Sequence, residues 1–196
     1  MNILQAYIKK YNQIVILILG LPCTNKSEIA KELGIDLSLQ VIKINDFLIK
    51  DKYKEINIDG IKTKVYEDPD NYNWDELNSK INESKINGVI IYGNYLDIEK
   101  IDWEIDFTFF YSMNIKTCKK ILVEKKMVEW EESDTKLDSD SILNKYFEKF
   151  LNPLYEDIKN SIKINRFFNI KDETKFDESY NDIFKTLMEL ISKKLK

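Results

Sequence analysis

The strongest pattern in the chain is an apolar, largely β-branched run, Gln13 to Leu19 (QIVILIL), that ends on Gly20. No polar position interrupts it after Gln13, so it predicts a strand covered on both faces, as in the centre of a parallel sheet. A helix is predicted next over Ser27 to Leu33, stopped by Gly34, and a second strand over Leu39 to Ile44 that ends at Asn45-Asp46. The Asp59-Gly60 pair lies amid Ile56, Ile58, Ile61 and Val65, which predicts a β-hairpin. Asn73 with Glu76 three residues on has the form of a capping box opening a helix. Further strands are predicted over Val89 to Tyr92, held between Gly88 and Gly93, and over Ile105 to Tyr111. A helix from Asn114 to about Met127 carries an apolar face of Ile115, Cys118 and Leu122 opposite Lys116, Lys119 and Lys120. Residues 128 to 140, rich in Glu, Asp and Ser, predict an exposed loop. Leu143, Phe147, Leu151, Leu154, Ile158 and Ile162 keep helical spacing, with Pro153 bending or breaking that segment. Asn165 to Ile170 predicts a last strand, and Tyr180, Phe184, Leu187 and Ile191 a C-terminal amphipathic helix. Strands alternating with helices imply an α/β protein whose parallel sheet is covered on both faces.

Composition narrows the chemistry. With 196 residues the chain has the length of one domain with a sizeable core, spanning 1–196. It holds 29 Ile, 29 Lys and 18 Asn against a single arginine, Arg166, and no histidine. That bias is the mark of an AT-rich coding sequence, so lysine and asparagine counts carry little functional weight. The missing histidine excludes Ser-His-Asp and Cys-His catalysis and imidazole metal sites. A net charge of −4 gives no basic field for nucleic acid, and no apolar run approaches the ~20 residues of a membrane span. Two cysteines, Cys23 and Cys118, cannot build a disulfide framework or a Cys₄ zinc site, and the expected compartment is reducing and cytoplasmic. Lys9 and Lys10 ahead of Ile14 to Leu19 have the look of a secretory leader. The apolar run is short for one, and Pro22 is a poor cleavage neighbour.

Gly20 to Ser27 reads GLPCTNKS, between a buried strand and a helix. The phosphate-binding loop is written G-x-x-x-x-G-K-[ST], and only its second glycine fails here, replaced by Asn25. In such a loop backbone N–H groups and a helix N-terminus surround the phosphates, a lysine reaches the terminal ones, and a hydroxyl meets Mg²⁺. Lys26 and Ser27 occupy both side-chain positions. Position 25 requires a left-handed backbone, which asparagine tolerates best after glycine. Gly20, Leu21, Pro22, Cys23, Thr24, Asn25, Lys26 and Ser27 are therefore the expected nucleotide-binding residues. The bland alternative is a Gly-Leu-Pro turn before an ordinary capped helix.

The stretch GLPCTNKSEIAKEL resembles the phosphate loop of P-loop kinases that phosphorylate small molecules, of the uridine kinase and nicotinamide riboside kinase type. VIKINDFL is similar to the end of that family's second strand, where an acid precedes an aromatic, and EDPDNYNWDEL resembles its D-H-P-D-A-[IF]-D stretch. GVIIYGNYLD, FTFFYSMNIKTCKKILVEKK and YFEKFLNPLYEDI follow in the order of its strand before glycine, its lid strand and helix, and the helix after the lid. The resemblance spans roughly residues 13 to 190. It implies a three-layer P-loop NTPase fold with a parallel five-stranded sheet, a lid region at about 114–140 and a small hairpin near the substrate side. It also implies transfer of the ATP γ-phosphoryl, with Mg²⁺, to a hydroxyl of a nucleoside or nucleoside-like riboside, and leaves room for a homo-oligomer.

By residue, the resemblance implies Lys26 and Asp46 in catalysis and Ser27 and Asp46 at Mg²⁺. Asn45 competes with Asp46 for the family's acidic position, and as an amide it cannot accept a proton. Asn45, Glu67 and Asp70 are implied at the substrate, Asp68 stands in place of the histidine, and Lys119, Lys120, Lys125 and Lys126 replace lid arginines. Tyr66, Tyr72, Trp74 and Tyr95 are the aromatics expected near the substrate. Tyr92 stands where the family carries an acid. Three departures, Asn25, Asn45 and Tyr92, set an active nucleoside-type kinase against a nucleotide-binding protein with little or no catalysis and a regulatory or partner-binding role. A third reading is a P-loop kinase for a nucleoside monophosphate or a sugar acid.

Overall fold

The structure is a computed structural model describing residues 2–58, 60–124, 139–171 and 175–196. The predicted alternation is realised as α1 (Ile3–Tyr11), β1 (Val15–Gly20), α2 (Lys26–Leu37), β2 (Gln40–Lys43), β3 (Lys54–Ile58), β4 (Ile61–Val65), α3 (Trp74–Ser84), β5 (Val89–Tyr92), β6 (Phe107–Met113), α4 (Ile115–Glu124), α5 (Ser139–Tyr146), α6 (Asn152–Ser161), β7 (Arg166–Ile170) and α7 (Phe176–Leu195). Five strands form one parallel sheet in the order β2-β5-β1-β6-β7, and β3 and β4 form a separate antiparallel hairpin.

β1 is buried at every position, and its side chains divide by the two-residue period of a strand. Val15, Leu17 and Leu19 meet Leu77, Ile81, Cys118, Leu122, Phe147 and Ile158 on the side of α3 to α6. Ile16 and Ile18 meet Leu4, Tyr7, Ile29, Leu33, Ile183 and Leu187 on the side of α1, α2 and α7. The uninterrupted apolar run is thus the requirement of a strand with two dry faces. No helix among the described residues is long and apolar enough to cross a membrane.

Several boundaries differ from the sequence reading for physical reasons. Helix α2 runs through Gly34 to Leu37 and ends on Ser38 in the left-handed conformation (φ 55). Gly34 serves close packing instead of termination, since a Cβ there would lie 2.3 Å from Val41 Cγ2. The first helix had no counterpart in the predicted elements. Asn2 and Gln5 close a capping box, with the Gln5 N–H donating to Asn2 Oδ1 at 2.8 Å and the Asn2 N–H to Gln5 Oε1 at 3.2 Å. Pro153 neither breaks nor ends its segment. Helical backbone continues from α5 through a π-helical stretch, Phe147–Leu151, into α6, whose first turn holds the proline. The wider turn accommodates a residue that has no N–H and whose ring crowds the carbonyl four residues back. Met127 and most of the acidic 128–140 stretch fall outside the described residues.

Candidate active site

The loop between β1 and α2 is anchored before it turns. Gly20 pairs with Tyr111 in the β1–β6 register, and the Leu21 N–H donates to the Tyr111 carbonyl at 2.9 Å. Cys23 and Asn25 both take positive φ, 64° and 57°. The left-handed conformation expected at position 25 is therefore present (φ 57, ψ 22), and the Asn25 side chain makes no capping hydrogen bond. Asparagine stands there for its backbone. We expect Asn25→Gly to keep stability within a few tenths of a kcal/mol and not to weaken nucleotide affinity, whereas Asn25→Ala costs about 1 kcal/mol. Urea unfolding and calorimetric titration with nucleotide check both, and a clear loss of affinity in the glycine variant would reveal a contact made by the amide itself.

Lys26 opens α2, and its side chain folds under the loop. Its ammonium donates to the Leu21 carbonyl and to Thr24 Oγ1 at 3.1 Å, and Thr24 in turn donates to the same carbonyl at 2.8 Å. Burial lowers the Lys26 pKa to about 8, against partial support from neighbouring acidic groups, Glu67 and Glu28 among them. Ser27 Oγ donates to the Glu28 carboxylate at 2.8 Å. Helix α4 reaches the loop from the other side, where Cys118 Sγ donates to the Pro22 carbonyl at 3.5 Å. A hydrogen bond with Cys23, followed by burial, holds the Cys118 thiol strongly protonated.

Two cavities adjoin at this loop. The first, of about 380 Å³, is walled by the 22–28 segment together with Lys31, Tyr92 and Gly93. The second, of about 320 Å³, is walled by Tyr66, Glu67, Tyr146, Lys64, Leu122 and Leu151. Pro22, Lys43, Asn45 and Asn94 line both. The hairpin and the turn after it bring Glu67 to this wall. Asn71 Nδ2 donates to the Val65 carbonyl at 2.6 Å and Asn71 Oδ1 accepts from the Lys54 N–H at 3.1 Å, tying the base of β3 and β4 to the Pro69–Asn71 turn. Glu67 is buried, accepts from Tyr146 Oη at 3.0 Å and from Asn94 Nδ2 at 3.5 Å, and burial raises its pKa above the ordinary carboxylate value.

The other residues singled out from sequence scatter. Asn45 faces both cavities, but Asp46 lines neither: its side chain is 68% exposed and pairs with Lys43 at 3.8 Å. The two lie in one 3-10 turn, Ile44–Phe47, which points adjacent side chains apart. Asp70 is exposed and lines neither cavity, and Asp68 is held by Lys54 at 2.6 Å. Lys119 bonds Asn144 and lies over the Phe147 ring, and Lys120 is exposed; Lys125 and Lys126 lie outside the described residues. Of the aromatics, Tyr66 lines the second cavity, while Tyr72 and Tyr95 are buried against each other and Trp74 donates to the Pro69 carbonyl at 2.7 Å. Tyr92, on the first cavity, has its pKa raised by burial and by the charges of Asp46 and Glu28, so it presents a neutral hydroxyl. Lys43, Lys64, Asn94 and Tyr146 had no sequence signal beyond their element, since Tyr146 falls in a stretch read as core spacing.

Among the described residues no group of three or more His, Cys, Asp or Glu side chains is placed to hold a metal. The Ser27 hydroxyl and the Glu28 carboxylate are two adjacent hard oxygens on the wall of the first cavity. Such a pair suits Mg²⁺ that arrives with phosphates and waters completing its shell, not an ion caged by protein alone.

Strand order, the loop after β1 and its lysine together define a P-loop kinase fold carrying a small antiparallel hairpin. No family profile and no curated protein matches the sequence. Among solved structures, a gluconokinase from Sinorhizobium meliloti 1021 superposes with a TM-score of 0.56 at 10% identity, over 92% of this chain and 95% of that one. An uncharacterized protein from Eubacterium ventriosum ATCC 27560 superposes with a TM-score of 0.51 at 18% identity, over 90% of this chain and 99% of that one. At such identities the likeness establishes the fold. It does not single out the uridine kinase type.

Proposed function

We propose that the protein is an ATP-dependent phosphotransferase that phosphorylates a hydroxyl group of a small molecule. The observation that carries this reading is the meeting of two cavities across Pro22, Lys43, Asn45 and Asn94, one floored by the phosphate loop and the other containing a buried carboxylate. Phosphoryl transfer needs little covalent chemistry from the protein. It needs a donor and an acceptor held in line, charge neutralised on the transferring group, and water kept out. The first cavity supplies Lys26 and the loop for the triphosphate. Mg²⁺ accompanying the nucleotide neutralises phosphate charge, and Ser27 with Glu28 would hold it. The second cavity, half apolar with Leu122 and Leu151 on its wall, seats the acceptor beside it.

Two acceptor classes suit that wall. A nucleoside-like riboside would stack its base on Tyr66 or Tyr146. A hydroxy acid, the substrate type named for the gluconokinase neighbour, would set its carboxylate against Lys43 and Lys64. The two lysines favour the acid. Purified protein with ATP, Mg²⁺ and a panel of ribosides and sugar acids tests the reading. ADP formation that depends on one acceptor supports it; nucleotide binding with no transfer to any acceptor supports the non-catalytic alternative, and no nucleotide binding removes both.

A further inference from the structure

Resting on that reading, we propose that Glu67 is the proton acceptor for the acceptor hydroxyl, a role the sequence resemblance would give to the end of the second strand. The end of β2 does not present a base to either cavity. Asn45, which faces both, has no proton-accepting group, and the carboxylate of Asp46 is 68% exposed and engaged with Lys43. Among the described residues, Glu67 is the carboxylate on the wall of the second cavity. It is 9% exposed, and its two oxygens are fixed by different donors, Tyr146 Oη at 3.0 Å on one and Asn94 Nδ2 at 3.5 Å on the other.

Its surroundings are those of a base kept from water. Lys26 from α2 supplies a positive charge near enough for each group to feel the other, and Tyr72, Tyr146 from α5 and Tyr155 from α6 are neutral phenols that feel its charge. Lys43 and Lys64 are the further charges on the cavity wall. Asn94, which donates to Glu67, also lines the first cavity, so a single residue separates the carboxylate from that cavity.

The step balances simply. The acceptor oxygen forms a bond to the γ-phosphorus as the bond from that phosphorus to the β–γ bridging oxygen breaks, and ADP leaves with the electron pair. The hydroxyl proton passes to Glu67 and is returned to water after release of the phosphorylated product. An essential base in the ionised form gives an acid limb in the pH profile of kcat, and burial places that limb above the ordinary glutamate range.

The test compares kcat, KM for the acceptor, nucleotide binding and melting temperature in Glu67→Gln, Glu67→Asp, Asp46→Asn and Tyr146→Phe. Glu67→Gln should lose on the order of 10²–10⁴ in kcat, with acceptor KM changed only a few-fold, nucleotide binding kept and the acid limb gone. Glu67→Asp should recover part of the rate. Asp46→Asn should lose less than about tenfold. Tyr146→Phe removes a hydrogen bond to the ionised form, so its acid limb should move to higher pH, a shift that a purely structural role for Glu67 would not produce. A larger loss in Asp46→Asn than in Glu67→Gln, or an unmoved limb in Tyr146→Phe, overturns the assignment while leaving the phosphotransferase standing. Absence of transfer by the wild type to every acceptor overturns both.

Discussion

Replacing Lys26 by methionine is expected to abolish phosphoryl transfer and, at the same time, to stabilise the fold. The ammonium is buried beneath the loop, and burial brings its pKa from 10.5 to about 8. A lysine whose folded pKa lies below its unfolded value destabilises the native state in full for as long as the folded chain carries it charged. The penalty is complete below pH 8, where the group is charged in both states, and fades as pH rises through the window from 8 to 10.5. Its full size is on the order of 3 kcal/mol, less what the Leu21 carbonyl loses with one donor. Thr24 still donates to that carbonyl. Methionine conserves the shape and removes the charge. Urea unfolding should show a gain at pH 7 that shrinks toward pH 10, while turnover drops on the order of 10³-fold or more for want of a cation at the transferring phosphate. A Lys26→Met protein that is both active and less stable at pH 7 would refute the placement of this side chain.

The second large effect is structural. Gly20 has φ +141, and a Cβ built there falls 1.9 Å from the Tyr111 carbonyl oxygen and 2.6 and 2.7 Å from the same residue's carbonyl carbon and amide nitrogen. All three atoms are backbone in the central pairing of β1 with β6, so no flexible side chain can give way. Gly20→Ala combines a disfavoured φ with a backbone clash at the C-terminal end of the central strand, and a cost above about 4 kcal/mol is expected. Against the roughly 5–15 kcal/mol by which domains of this size are stable, that is enough to drive much of the protein into aggregates. Soluble yield and thermal melting by circular dichroism decide the matter; a melting temperature within a few degrees of wild type would contradict the geometry.

What was legible in the sequence follows from how locally each feature is determined. Strand β1 announced itself because burial on both faces leaves no room for polar residues. The loop was legible because its motif is contiguous and Asn25 answers a local demand, a left-handed backbone. Gly34 misled because a glycine needed for close contact with Val41 is spelled the same as one that ends a helix. Helix α1 is not among the predicted elements, although its capping box, Asn2 and Gln5, is purely local sequence. At the site, the choice between Asn45 and Asp46 turned on one residue, and only the 3-10 turn decides which side chain faces the cavities. Glu67 was visible as a member of an acidic, proline-bearing stretch. Its burial was not, because that depends on Tyr146 arriving from a helix 79 positions away.

The first cavity also bears on how a ligand reaches it. The protein carries −4 overall, yet among the described residues Lys26, Lys31 and Lys43 share that wall with Glu28 as its one acid. Such a cleft in a low-dielectric body gathers field lines. A polyphosphate ligand of the kind proposed would be drawn to that cleft with its charged end leading. Such a ligand would be oriented during encounter, within the ~8 Å over which charges act at physiological salt. Added salt slows that arrival before it loosens any contact made inside.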